Sequence, residues 1–251
     1  GMLAVHQQGI DYPARVVERC RFRGMSPWIT LRMNDCHYND NMQHSFHGTF
    51  WKKNPQFYRQ GCTGYFARCL DYAHPEVRDI YLALITETLQ RYDIDGLELD
   101  FMREPYLFSA GKEQEGAAIL TEWLRGVRHL VKEAGVRRGH PVSLGVRVPS
   151  QPRTAHDMGL HAVAWAKEGL IDLLVVTPRW STLEFAMPLE QWKAQLGDAA
   201  VVLAGGLEIL YRPCPDGAPA PSSPELATGA AVAVLARGAD AVYLFNYFQD
   251  G

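Results

Sequence analysis

The chain has no apolar run of the roughly 18 residues that a membrane-crossing helix needs. It has no G-x-G-x-x-G and no Walker-type lysine motif, so the usual phosphate-cradling loop of a doubly wound sheet is missing. No CxxC, HxH or HExxH occurs, which removes the familiar zinc spacings. No long basic stripe occurs either. With 25 basic against 28 acidic residues, a net charge of −3, a nucleic-acid footprint is not expected. The opening GMLAVHQQGIDYP lacks the charged start and apolar core of a secretory leader. The five cysteines (Cys20, Cys36, Cys62, Cys69, Cys214) are odd in number. They read as reduced thiols of a cytoplasmic protein, a secreted parent stripped of its leader being the alternative.

What is present is a mixed composition, 47% apolar and 21% charged over 251 residues, which fits one globular domain spanning 1–251. Short β-branched runs alternate with helical patterns, the signature of βα units and a parallel sheet. Strands are expected at 28–34, 67–71, 96–101, 142–148, 173–178, 201–207 and 242–248. Helices are expected near 12–23, 75–92, 113–135, 156–168, 188–196 and 224–237. In the second of these, Pro75 opens a run in which Val77, Ile80, Tyr81, Leu84, Ile85 and Leu89 recur at helical spacing. Seven or eight such units in this length predict a (β/α)8 TIM-type barrel.

That barrel would be incomplete at its first strand and last helix. Counting 28–34 as the second strand, only residues 2–6 remain for the first. A missing strand exposes two parallel edges, which soluble proteins avoid. Residues 2–6, a second copy of the chain or a further segment would have to cover the gap.

Two stretches interrupt the rhythm: residues 35–66, rich in Asn, His, Gln and aromatics, and the Pro-rich 212–224. Both follow strands and project from one end of the sheet, and loops that long are commonly functional. Within the strands, polar residues alternate with apolar ones. Glu98 and Asp100 oppose Leu97, Leu99 and Phe101; Thr30, Arg32 and Asn34 oppose Ile29, Leu31 and Met33. Arg147 and Glu208 close the polar rows of two later strands. In a barrel these rows converge at the C-terminal mouth, where active sites of that fold lie.

Glu98 and Asp100 point the same way, and close like charges raise one another's pKa. Asp100 would end the fourth strand and Glu208 the seventh, across the mouth. Two carboxyl groups about 5–9.5 Å apart, one protonated and one ionised, are what acid-catalysed cleavage of a glycosidic bond requires. Asp100 is therefore the leading catalytic candidate, Glu208 its partner, and Glu98 the group that tunes both.

Arg32, Arg103, Arg147 and Arg179 lie at or just past the same strand ends. Buried acids need such partners, and arginine pairs with them bidentately. The sharper expectation leaves one guanidinium, with Arg147 the first to test, free for a uronate or sulfate. Trp51 and Trp180 are the candidate sugar platforms among the loop aromatics. His37, His44 and His47 with Asp35 and Asp40 match no metal-ligand spacing. No metal or cofactor is expected, and His37 is read as a substrate contact.

The segments LRMNDCHYND, FWKKNPQFY, LDYAHPEVRD and DIDGLELDFMREPYLF resemble those of a group of bacterial glycoside hydrolase-like proteins with TIM-barrel domains. The resemblance covers roughly residues 28–108. It implies a carbohydrate substrate and supports Asp100, Arg103, Arg32, Asn34 and His37 as site residues. Better-known glycosidases carry Asn-Glu on the fourth strand, where this chain reads Leu-Glu-Leu-Asp. Arg32, Asn34, Arg103, Arg147 and Asn246 are expected to position substrate. Two other classes remain: a non-catalytic carbohydrate-binding barrel, and a metal-dependent lyase or isomerase with Glu98, Asp100 and Asp71 as ligands.

Overall fold

Apolar strands flanked by amphipathic helices bury both faces only when helices cover a parallel sheet. The structure, a computed structural model, describes residue 5 and residues 7–247 and has this arrangement. In chain order it runs α1 (Tyr12–Phe22), β1 (Trp28–Arg32), α2 (Thr49–Lys53), α3 (Pro75–Arg91), β2 (Gly96–Asp100), α4 (Glu113–Arg138) and β3 (Ser143–Pro149). It continues with α5 (Pro152–Asp157), α6 (Ala162–Lys167), β4 (Leu173–Thr177), α7 (Leu189–Leu196) and β5 (Val202–Glu208). A small hairpin of β6 (Leu210–Tyr211) and β7 (Ala220–Pro221), then α8 (Pro224–Ala236) and β8 (Ala241–Phe245), complete it.

Helix starts follow local chemistry. The Asp11 carboxylate accepts the Ala14 amide ahead of α1, and the Ser223 hydroxyl accepts the Leu226 amide ahead of α8, each with a proline in the first turn. The expected helix at 156–168 is divided into α5 and α6, because the chain turns at Gly159 with φ of +80°.

Six parallel strands form the sheet in the order β1-β2-β3-β4-β5-β8, so no strand switches place as it would in a doubly wound fold. The sheet is curled into a half-barrel. Glu98 on β2 and Tyr243 on β8 are four strand positions apart, about 19 Å in a flat sheet. Yet the Tyr243 hydroxyl donates to Glu98 Oε1 at 3.0 Å. Across the same interior, the Arg147 guanidinium lies 3.7 Å from the centre of the Phe245 ring. The opposite faces of the strands, including Leu97, Leu99, Val146, Val148, Leu174 and Leu207, are fully buried in the hydrophobic core.

The strand expected at 67–71 does not form. β1 pairs directly with β2, Trp28 opposite Gly96 through Arg32 opposite Asp100, and leaves no slot between them. The segment is instead a 3-10 turn, Tyr65–Arg68, followed by a single antiparallel bridge from Leu70 to Tyr58. Asp100 therefore ends the second strand of the sheet and Glu208 the fifth, keeping the expected separation of three. The closing strand expected at residues 2–6 lies outside the described residues except for Val5. Its carbonyl accepts the Gln8 and Ile10 amides at 3.2 and 3.3 Å, in a turn. Among the described residues β1 and β8 are the two edges of the sheet.

The loop after β2 is set by one close approach. Phe108, fully buried, lies flat over Gly116 in α4, where a Cβ would overlap its ring. Gly116→Ala should gain about 1 kcal/mol in helix propensity. It should lose more to overpacking, for a net destabilisation of about 1–3 kcal/mol in a urea titration.

Candidate functional site

In parallel pairing, residues opposite one another share a face. Arg32, Asp100 and Arg147 are opposite in register, as are Thr30, Glu98 and Gly145 one layer below, and Glu208 lies opposite Phe245. The curl turns these rows inward. Glu98, Asp100 and Glu208 are only 2%, 1% and 3% exposed; Asp100 pairs with the guanidinium of Arg147, and the charge of Arg147 reaches Glu98 and Glu208.

Arg147 grips Asp100 with both sides of its fork, Nε to Oδ1 at 2.9 Å and Nη2 to Oδ2 at 2.8 Å. Asp100 Oδ1 also accepts the Met102 and Arg103 amides at 2.9 and 3.1 Å, which bends the chain sharply after β2. Arg147 is thus engaged, contrary to the expectation that it is the guanidinium left free. Burial, with the charge of Asp100 beside it, pushes the Glu98 carboxyl up to about 7 against the pull of Arg147 and Tyr243. Burial likewise raises Glu208, opposed by the Leu210 amide, the Asn246 side-chain amide at 3.4 Å and Arg147. Asn246 is held at φ of +60°, just past the end of β8.

Above this layer a cavity of about 390 Å³ opens, lined by His37, Tyr65, Arg103, Glu104, Arg179 and Trp180. Its carboxylate, Glu104, was not among the expected residues. It follows Asp100 by four positions, past the end of β2, where strand alternation no longer says which way a side chain points. Glu104 is 1% exposed, accepts from the Tyr65 hydroxyl at 3.2 Å and pairs with Arg179 at 3.1 Å. Burial raises its carboxyl above the ordinary range despite Arg179 and Tyr65. Trp180 is 45% exposed here, with Arg212 5.4 Å above its ring.

His37 sits between Asp35 and Arg103. Arg103 Nη2 donates to His37 Nε2, so Nδ1 carries the proton and donates to Asp35 Oδ1 at 2.5 Å. Asp35 also accepts from Arg32 Nη1, at 3.1 Å. Burial pushes the Asp35 carboxyl up, but its bonds to the His37 amide and ring outweigh that and hold it below the usual range. His37, Asp35 and Arg32 also line a second cavity, about 500 Å³, against Trp51, His47 and Tyr81.

Other expected contacts serve the scaffold. The Asn34 amide is buried and bonded to the Leu70 and Tyr106 carbonyls and the Leu70 amide. Trp51 is buried, donates to the Arg68 carbonyl at 2.9 Å and stacks on His47. These bonds join the end of β1 and the long 35–66 loop to the segment at 66–71 and the loop after β2, as do those of Arg59, which donates to the Phe108 and Phe66 carbonyls. Asp71 is occupied by the Ala73 amide and by the amide and hydroxyl of Ser109, and Asp95 pairs with Arg21 at 2.8 Å. Among the described residues no three His, Cys, Asp or Glu side chains converge as metal ligands.

Residues 3–122 match the family model Glycosyl hydrolase-like 10. The glycosyl hydrolase-like match spans just under half of the chain and includes Arg32, Asn34, His37, Glu98, Asp100, Arg103 and Glu104. No curated protein matches the chain. Among solved structures, the Bacillus cereus spore cortex-lytic enzyme SleL is similar at 12% identity and TM-score 0.48, over 91% of this chain and 47% of that one. The glycoside hydrolase domain of PelA from Pseudomonas aeruginosa is 15% identical, with TM-score 0.41, over 92% of this chain and 71% of that one. A noncanonic maltogenic alpha-amylase, AmyB from Thermotoga neapolitana, is 12% identical, with TM-score 0.43, over 78% of this chain and 41% of that one. The chain thus spans less than half the length of AmyB and SleL.

Two stability measurements follow from the buried layer. Arg147→Met leaves Asp100 buried without its counter-charge and should cost about 3–5 kcal/mol in denaturant unfolding, the Arg147→Met/Asp100→Asn pair losing less than the sum. For Glu98, the folded chain keeps a proton that the unfolded chain has released, so stability falls as pH rises from about 4.5 to about 7. Glu98→Gln should abolish that decline, which is on the order of 3 kcal/mol.

Proposed function

We propose that the chain hydrolyses glycosidic bonds, its six strands forming part of a (β/α)8-type barrel and its substrate lying across the C-terminal mouth. The observation that carries this reading is a pair of unlike buried carboxyls, one bound to the Arg147 guanidinium and the other within reach of its charge. Asp100 is paired with Arg147 at 2.8 Å; the carboxyl of Glu208, three strands away, is raised by burial. Glycosidic cleavage asks for this division of labour: a protonated carboxyl for the leaving oxygen and an ionised one facing the positive charge that develops on the sugar. In the proposal Glu208 gives the proton, Asp100 supplies the negative charge, and Glu98 adjusts the field on both. Glu104 is the carboxyl that meets substrate first, from the wall of the open cavity. Trp180 offers its face to the sugar ring, and His37 and Arg103 orient hydroxyl groups.

A second reading, carbohydrate binding without turnover, is favoured by the deep burial of Glu98, Asp100 and Glu208. The two readings separate in a glycan-panel hydrolysis assay. The hydrolase reading expects release of reducing ends from at least one glycan. It expects Glu208→Gln to lower kcat by about 10²–10⁴-fold with folding intact, the usual contribution of a proton donor. Binding of a glycan without any hydrolysis favours the second reading.

A further inference from the structure

The charge around the open cavity runs against that of the chain. The protein as a whole carries a net −3. At the mouth, Arg103 and Arg179 line the cavity, Arg212 lies over Trp180, and the charge of Arg32 reaches Arg103. Against these four guanidiniums stand the carboxyls of Asp35 and Glu104, while Asp100 and Arg147 offset each other below.

The acceptors nearby are also taken. His37 Nε2 accepts from Arg103 Nη2, and Asp35 accepts from His37 and Arg32. Glu104 accepts from Tyr65 and Arg179. Arg103 Nε is buried and has no hydrogen-bond partner among the described residues, an arrangement that native proteins rarely leave unfilled. Burial, with the charge of Arg32 beside it, pulls the Arg103 pKa down. The site therefore lacks one anionic acceptor, and guanidinium is the group that best holds a planar carboxylate. The half-exposed face of Trp180 borders the same space and offers an apolar platform. At about 390 Å³ the cavity lies within the range of small-ligand sites, roughly 300–1,000 Å³.

We propose that this cavity binds a sugar that bears a carboxylate, a uronate residue, with the carboxylate on Arg103 and Arg179 and the ring over Trp180. The proposal deepens the carbohydrate reading above and rests on it. Specificity would arise at the mouth, separately from the buried carboxyls that would carry the chemistry.

The test is equilibrium binding by calorimetry, which needs no turnover. The probes are a galacturonate trisaccharide, a glucuronate-containing disaccharide, neutral oligosaccharides of the same length, and inorganic phosphate and sulfate. The expected result is at least tenfold tighter binding of a uronate probe than of its neutral counterpart. Arg103→Gln and Arg179→Gln should each lower uronate affinity by about 10- to 100-fold and remove that preference, the usual effect of losing a charged hydrogen bond. Equal affinity for charged and neutral probes, or equal losses for both in the variants, would overturn the proposal while leaving the carbohydrate reading in place. Phosphate or sulfate displacing the uronate at its own affinity would overturn it in favour of a plain anion site. If Arg103→Gln fails to fold, the half-exposed Arg179→Gln carries the test alone. A uronate that binds with this preference but is never hydrolysed leaves the proposal standing and removes only the catalytic reading.

Discussion

The buried pair of Asp100 and Arg147 is the interaction on which the rest of the site depends. Two charges without water are tolerable only when each answers the other's hydrogen-bonding groups, and here the fork of Arg147 meets both carboxylate oxygens. The pair joins two neighbouring strands at their C-terminal ends. Its remaining capacity is used locally, since Asp100 also takes the amides of Met102 and Arg103. Those two bonds turn the chain out of the strand, and the turn delivers Arg103 and Glu104 to the open cavity. Glu98 and Glu208, drawn in by the curl, take their raised pKa values from the same water-poor interior.

Above that layer, the site is made by loops held from beneath. The long 35–66 segment would be expensive to order by itself. It is fastened by Asn34, Trp51 and Arg59, whose side chains bond to backbone groups. The buried thiols of Cys36 and Cys69 lie 3.6 Å apart behind the same wall. These anchors leave His37 and Tyr65 at the cavity, where Trp180 joins them from the loop after β4. The division gives a mouth that can vary its contacts on a sheet that keeps its charges fixed.

Much of this was legible in the sequence. The alternation in GLELDF put Glu98 and Asp100 on one face because strand geometry leaves no other choice, and the parallel pairing carried Arg147 beside them. The two long loops fell at one end because both follow strands. What was not legible depended on neighbours distant in the chain. Residues 67–71 have the composition of a strand, but β1 and β2 already satisfy each other. Asn34 and Trp51 look like ligand contacts by residue type, and only the packing of the loop shows their partners. Glu104 carries no such signal, because it lies beyond the strand, where alternation stops carrying information. The eight-stranded count depended on residues 67–71 and on a first strand that lies outside the described residues.

The account stands or falls on where a sugar sits. The decisive measurement is a crystal structure of the Glu208→Gln variant with a bound oligosaccharide. The account predicts a sugar ring against Trp180, polar contacts to Arg103 and Glu104, and a glycosidic oxygen directed at residue 208. A sugar bound instead in the apolar pocket of Pro152, Leu160 and Trp192, with the mouth left empty, would contradict it.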